Sequence, residues 1–192
     1  MKKITILLFS LFTFSVNAQV IDYNNFDNKL LERLVFEELN RYRDSLGVVD
    51  LLWSEVMYKK ISCKQTSILA KGSSLYHPGL DSLFTDEFRT SVSKESQKLT
   101  GIKSKYNCEP ISVTTLSENG FSTDLEKVTY QQMAKIAIMC WDKSPLHKCN
   151  QKWNYYLGGG KGLVSVSARI NNSKSKIFIF CNFTEVWKEK TN

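Results

Sequence analysis

Ile177-Phe178-Ile179-Phe180-Cys181 decides the reading of the fold. Five consecutive apolar residues leave an extended segment without a polar face, so both of its sides are expected to be buried. A strand covered on both sides needs helices above and below its sheet. Upstream, Val164, Val166, Ala168 and Ile170 alternate with Ser165, Ser167 and Arg169. That period of two is the mark of a strand with one buried face. Asn171 to Lys176 separate the two runs, which read as a C-terminal hairpin. The expected class is α+β: a three-layer α-β-α sandwich with a central antiparallel sheet.

The helices are legible by the same periodicity. Phe26, Leu30, Leu31, Leu34, Val35, Leu39, Tyr42 and Leu46 recur at three and four residues. They predict a helix from about Phe26 to Leu46, stopped by Gly47. Val48 to Trp53 reads as an extended connector. Ser54 caps a second helix with Glu55 in its first turn, and this helix carries Val56, Met57, Ile61, Ile68 and Ala70 to an end at Gly72. Phe84, Phe88, Val92 and Leu99 step by about a turn, with Asp86 and Glu87 favouring a helix start and Gly101 its end. Ile111 to Leu116 is β-branched and alternating, a strand leading into Glu118. Thr123-Asp124-Leu125-Glu126 has the form of a capping box and predicts a helix start at Thr123. Met133, Ile136, Ala137, Cys140 and Trp141 mark that helix's expected buried side, and Pro145 breaks or restarts it. Gly158-Gly159-Gly160 is a turn and lacks the spacing of a phosphate loop.

The first 18 residues read as a signal peptide. Met1-Lys2-Lys3 is basic, Ile4 to Val16 is mostly apolar, and Val16-Asn17-Ala18 ends in a small residue, so cleavage is expected after Ala18. The apolar run falls short of the about 20 residues that span a bilayer. No cysteine follows the cut, so no lipoprotein anchor is expected. The remaining 192 − 18 = 174 residues form one expected domain, secreted or periplasmic. Loss of Lys2 and Lys3 lowers the net charge from +7 to +5. The other lysines are scattered, as on a solvated basic surface, or one drawn to an anionic envelope or lipid surface. Nothing resembles a nucleic-acid motif. Five cysteines (Cys63, Cys108, Cys140, Cys149 and Cys181) leave at least one thiol unpaired or bridging between molecules. Their spacing fixes no pairing.

There are two histidines in 192 residues. His77 closes Leu75-Tyr76-His77, and His147 closes Trp141-Asp142-Lys143-Ser144-Pro145-Leu146-His147. Ser117-Glu118-Asn119-Gly120 lies between them. Imidazole is the usual near-neutral acid/base and the commonest transition-metal ligand.

Read in order, these pieces resemble the CAP superfamily (cysteine-rich secretory proteins, antigen 5 and pathogenesis-related proteins), in its bacterial SCP-like extracellular form. The matching residues are Leu39-Asn40-Arg41-Tyr42-Arg43 with Gly47, Leu52-Trp53-Ser54, Tyr76-His77, Glu118-Asn119, then Trp141, Ser144-Pro145, His147 and Asn150, the glycine turn and two closing strands. They span about residues 33 to 185. The resemblance implies a cleft of two histidines and acidic residues, to which His77, His147 and Glu118 correspond, with Ser144 where eukaryotic members have a second acid. Ser117 stands where the glycine of the Gly-Glu-Asn motif would be. The stretch from 78 to 117 is longer than usual for the family. A small apolar or lipid ligand is implied by resemblance alone.

Two imidazoles and a carboxylate suit a divalent metal such as Zn²⁺. The expected role is binding, through His77, Glu118, Ser144, His147 and Asn150, with His77, His147 and Glu118 as metal ligands. The alternatives are a metal-dependent hydrolase, in which Glu118 activates a metal-bound water, and an envelope or host-surface interaction protein with a vestigial cleft. A serine-nucleophile reading of Ser144 meets Pro145, which has no N–H to offer an oxyanion. Ser-Pro is instead a helix start, with Ser144 as N-cap and Pro145 at the first helical position. Trp53 and Trp141 read as core, and Asn40 and Arg43 as structural hydrogen-bonding residues.

Overall fold

The computed structural model describes residues 19–72, 75, 85–100, 127–152 and 162–184, together with the backbone of 116–124, 156–157 and 186–187. The leader, His77, Gly101, Cys108, the 111–115 part of the expected strand and the triple-glycine turn lie outside the described residues.

Helix α1 is Asn28–Ser45, within two residues of expectation at each end. Asp27 caps it, its carboxylate accepting from Leu30 N at 2.9 Å. Gly47 takes the left-handed conformation (φ +68°) that ends such helices at least cost. Strand β1 is only Leu52–Trp53. Helix α2 follows in three continuous pieces: Glu55–Met57, a π-helical stretch Tyr58–Ser62, and Cys63–Leu69. The Ser54 hydroxyl caps it from 3.1 Å, as expected. Helix α3, Asp86–Thr100, starts at the acidic pair that marked it in sequence.

Strand β2, Leu116–Asp124, corrects the next expectation. Thr123 and Asp124 do not open a helix; they end this strand, opposite Ile177 and Lys176. The capping box that operates is Thr129 with Gln132: Gln132 N donates to Thr129 Oγ1 at 3.1 Å, and Thr129 N to Gln132 Oε1 at 2.9 Å. Both segments have the local form of a helix start, and strand pairing claims the first of them. Helix α4 is Tyr130–Lys143 and α5 is Pro145–Lys152, divided at Pro145 as expected. Met133, Ala137 and Trp141 of α4 are buried, whereas Ile136 and Cys140, expected on the buried side, are exposed. The buried arc runs through Tyr130, Ala134 and Ile138 instead.

Strands β3 (Tyr156–Leu157) and β6 (Val186–Trp187) make a small parallel pair. Strands β4 (Leu163–Ile170) and β5 (Lys176–Thr184) form the hairpin. The main sheet has the order β1-β4-β5-β2. The α+β class therefore holds. The sheet is mixed rather than antiparallel throughout, because β1 joins β4 in parallel at Leu52↔Leu163 and Trp53↔Val164.

Both sides of the hairpin are buried. Val164, Val166, Ala168, Ile177, Ile179, Cys181 and Phe183 share one core with α1 and α4. On the other side Phe178 and Phe180 pack with Leu69 of α2. The alternation in β4 predicted a solvated serine face; Ser165 and Ser167 are fully buried instead. The Ser62 hydroxyl lies 2.7 Å from that of Ser165, and Thr66 Oγ1 lies 2.7 Å from Ser167 Oγ. Asn182 Nδ2 donates to Ser62 Oγ and Gln65 Oε1, both at 2.7 Å. A buried hydroxyl left unpaired costs about 1–3 kcal/mol, so this layer is tolerated only because α2 brings matching hydroxyls and an amide.

Candidate functional site

Helix α5, which carries His147, is placed by three ties. Arg43 Nη1 donates to Gln151 O at 2.7 Å, so the end of α1 holds the end of α5. Gln151 Nε2 donates back to Ile138 O on α4 at 3.2 Å. Lys148 lies 3.1 Å from the carboxylate of Asp142 across the α4–α5 junction. Ser144 has extended backbone angles (φ −95°, ψ 118°), and its carbonyl accepts from Lys148 N at 2.8 Å. That is the backbone arrangement of an N-cap, with Pro145 at the first helical position. Ser144, His147 and Asn150 are all half-buried on or beside this helix.

Helix α5 packs against α4 and against β2. Strand β2 carries Glu118, whose position pairs with Asn182, and Asn182 pairs in turn with Ser165. Asn-Gly is a pair that commonly marks a tight turn, but Asn119 and Gly120 continue this strand opposite Cys181 and Phe180. The structure therefore brings the element bearing His147 to the element bearing Glu118. His77 lies outside the described residues, as does the Glu118 side chain. Among the described residues no group of three or more His, Cys, Asp or Glu side chains could hold a metal ion.

Asp142 belongs to the same motif as His147. The Tyr42 hydroxyl donates to its carboxylate. That bond, aided by Lys148, holds the Asp142 carboxyl below its ordinary value. The Tyr42 phenol is pushed up by burial and by the same bond. For a carboxyl with a lowered folded value, the stabilisation is present above its unfolded value and is lost as pH falls through the folded one. Tyr42→Phe is accordingly expected to raise the Asp142 midpoint in a carboxyl ¹³C titration and to lessen the stability lost between neutral and acid pH. An unchanged midpoint would show that Lys148 alone sets it.

Several polar sites gave weak sequence signals. Glu32, 2% exposed, sits within the apolar stripe of α1. Its Oε1 accepts from Ala168 N at 3.1 Å and from the Tyr58 hydroxyl at 3.2 Å. A charge on an apolar stripe was the clue. Glu95 of α3 accepts from Ser54 Oγ, from Glu55 N at 2.8 Å and from Val56 N at 3.1 Å, clasping the start of α2. Nothing in the local sequence announces that contact, because its partners lie 39 to 41 residues away. Asn40 and Arg43 are structural hydrogen-bonding residues, as read: Asn40 exchanges bonds with the Leu51 backbone at 3.1 and 2.9 Å. Trp141 is core, and Trp53 packs against the core edge-on to Phe36.

Cys63, Cys140, Cys149 and Cys181 are free thiols, and burial pushes the Cys181 thiol up. No helix among the described residues is long and apolar enough to cross a membrane.

No family model matches this chain, and no curated protein does. Solved structures do show similarity. A cysteine-rich secretory protein from Staphylococcus aureus is 12% identical with a TM-score of 0.44, over 83% of this chain and 40% of that one. An extracellular protein containing an SCP domain from Bacillus anthracis is 14% identical with a TM-score of 0.46, over 82% and 41%. An outer surface protein from Borrelia burgdorferi is 13% identical with a TM-score of 0.47, over 88% and 99%. This chain thus spans about two fifths of the length of the first two.

Proposed function

We propose that this chain is an exported binding protein of the CAP type: a three-layer α-β-α sandwich whose cleft, formed by His77, Glu118, Ser144, His147 and Asn150, takes a divalent metal and a small apolar or lipid ligand. The observation that carries the reading is the packing of α5 on β2, which sets the His147 helix beside the Glu118 strand. The donor set supports it. His77, His147 and Glu118 would hold the ion, two imidazoles and a carboxylate being ligands for a borderline cation such as Zn²⁺. The ion would supply a Lewis-acidic centre open to a ligand. Ser144 serves as the N-cap that starts α5, and Arg43 and Gln151 fix the direction of that helix.

Metal content of protein purified without chelator or a nickel column tests the reading. About one equivalent of metal is expected in the unaltered protein, with loss in His77→Ala and His147→Ala and weakened affinity in Glu118→Gln. Ser144→Ala should keep its metal. Equal metal content in all four variants, or none in the unaltered protein after zinc dialysis, would remove the metal centre from the proposal.

A further inference from the structure

The junction of α4 and α5 is an apolar corner set among basic side chains. Leu146, at the start of α5, is 80% exposed, and Met139 of α4 is 58% exposed. Ile136 lies three residues before Met139, which puts the two on one side of α4, and it too is exposed. Lys135 and Lys143 flank them and are exposed. Between Tyr130 and Lys152, Lys135, Lys143, Lys148 and Lys152 face a single acid, Asp142. That acid is already engaged by Tyr42 and Lys148. Scattered exposed apolar residues need no explanation, but a group of them with exposed lysines on either side does.

We propose that this corner docks on an anionic lipid surface. Leu146 and Met139 enter the boundary between headgroups and acyl chains, and Lys135 and Lys143 meet lipid phosphates. Charge complementarity selects the occupant. A second copy of this chain docked corner to corner would set the same lysines against one another, whereas an anionic leaflet matches both the lysines and the net charge of +5 that remains without Lys2 and Lys3. None of these residues is among those proposed for the cleft, and the reading stands whether or not the cleft holds a metal.

Co-sedimentation with vesicles tests it. The chain is used from Gln19 onward, because the apolar leader would itself insert; the described fold begins at Gln19, whose carbonyl accepts from Tyr130 N at 3.0 Å. Binding is expected to phosphatidylglycerol-containing vesicles and not to pure phosphatidylcholine, and it should fall steeply as salt rises from about 0.05 to 0.5 M. Leu146→Asp with Met139→Asp, and separately Lys135→Glu with Lys143→Glu, are each expected to weaken binding by about tenfold or more. Circular dichroism melts should show both variants folded, since the altered residues are on the surface. The proposal fails if the unaltered protein ignores phosphatidylglycerol at low salt, or if the folded variants bind as well as it does. It fails equally if sedimentation velocity reveals a dimer that the same substitutions dissolve without any vesicle binding, which would make the corner an interface between copies.

Discussion

Arg43→Ala is expected to lower the unfolding free energy by about 3 kcal/mol, because a hydrogen bond from a charged donor is worth about 1.5–3 kcal/mol and two backbone carbonyls lose theirs. Arg43 is 1% exposed. Its Nε donates to Val49 O at 2.9 Å, its Nη2 to the same oxygen at 2.5 Å, and its Nη1 to Gln151 O at 2.7 Å. One side chain thus joins the last turn of α1, the connector to β1, and α5. Truncation strips charge-assisted bonds from two carbonyls, that of Gln151 buried and that of Val49 partly exposed. A domain of this size loses about 2–4 °C of Tm per kcal/mol, so a fall of roughly 10 °C is expected. Arg43→Lys should recover only part of it, because an ammonium lacks the planar fork that reaches both carbonyls. Urea denaturation of the three proteins measures this. Amide exchange adds a local readout, with protection of α5 expected to drop first. A loss below about 1 kcal/mol would mean that water replaces the guanidinium without strain.

The second large effect is expected at Glu32. Strand β1 pairs with β4 only at Leu163 and Val164, so the rest of β4 has no strand on that side among the described residues. Ala168 N, on that open edge, donates to Glu32 Oε1 at 3.1 Å. The carboxylate also accepts from the Tyr58 hydroxyl, and Lys29 Nζ lies 3.3 Å from its Oε2. A side chain from α1 thereby does for β4 what a neighbouring strand would do. Glu32→Ala leaves a buried backbone N–H and a buried phenol without their acceptor, and a cost of about 3 kcal/mol is expected. Glu32→Gln keeps an oxygen in place and should cost less than half as much. Equal losses in the two variants would show that charge, through Lys29, and not the acceptor, is what matters. The π-helical stretch of α2 begins at Tyr58, the residue whose hydroxyl meets Glu32.

Much of the local structure was readable. The bounds of α1, the Ser54 cap, the acidic start of α3 and the division at Pro145 all rest on interactions within four residues of chain. The serine face of β4 misled, because a hydroxyl facing water and one facing another hydroxyl leave the same mark in a sequence. Whether Ser165 meets solvent depends on Ser62, 103 residues away. The exposed positions of Ile136 and Cys140 were also hidden, since the apolar residues of α4 nearly encircle it. Periodicity alone could not say which arc would meet α1 and the sheet. At the candidate site the residue types were legible and their meeting was not: His147 and Glu118 sit in short motifs, but only packing of α5 on β2 relates them.

By itself, then, the sequence determined the kinds of element and most of their ends, through capping, periodicity and the stiffness of proline. Tertiary structure decided which of two capping patterns opened α4, which strand face took polar partners and which helix side stayed bare. Each of those choices turns on desolvation and hydrogen bonding between groups far apart in the chain, and such energies exist only once the layers have come together.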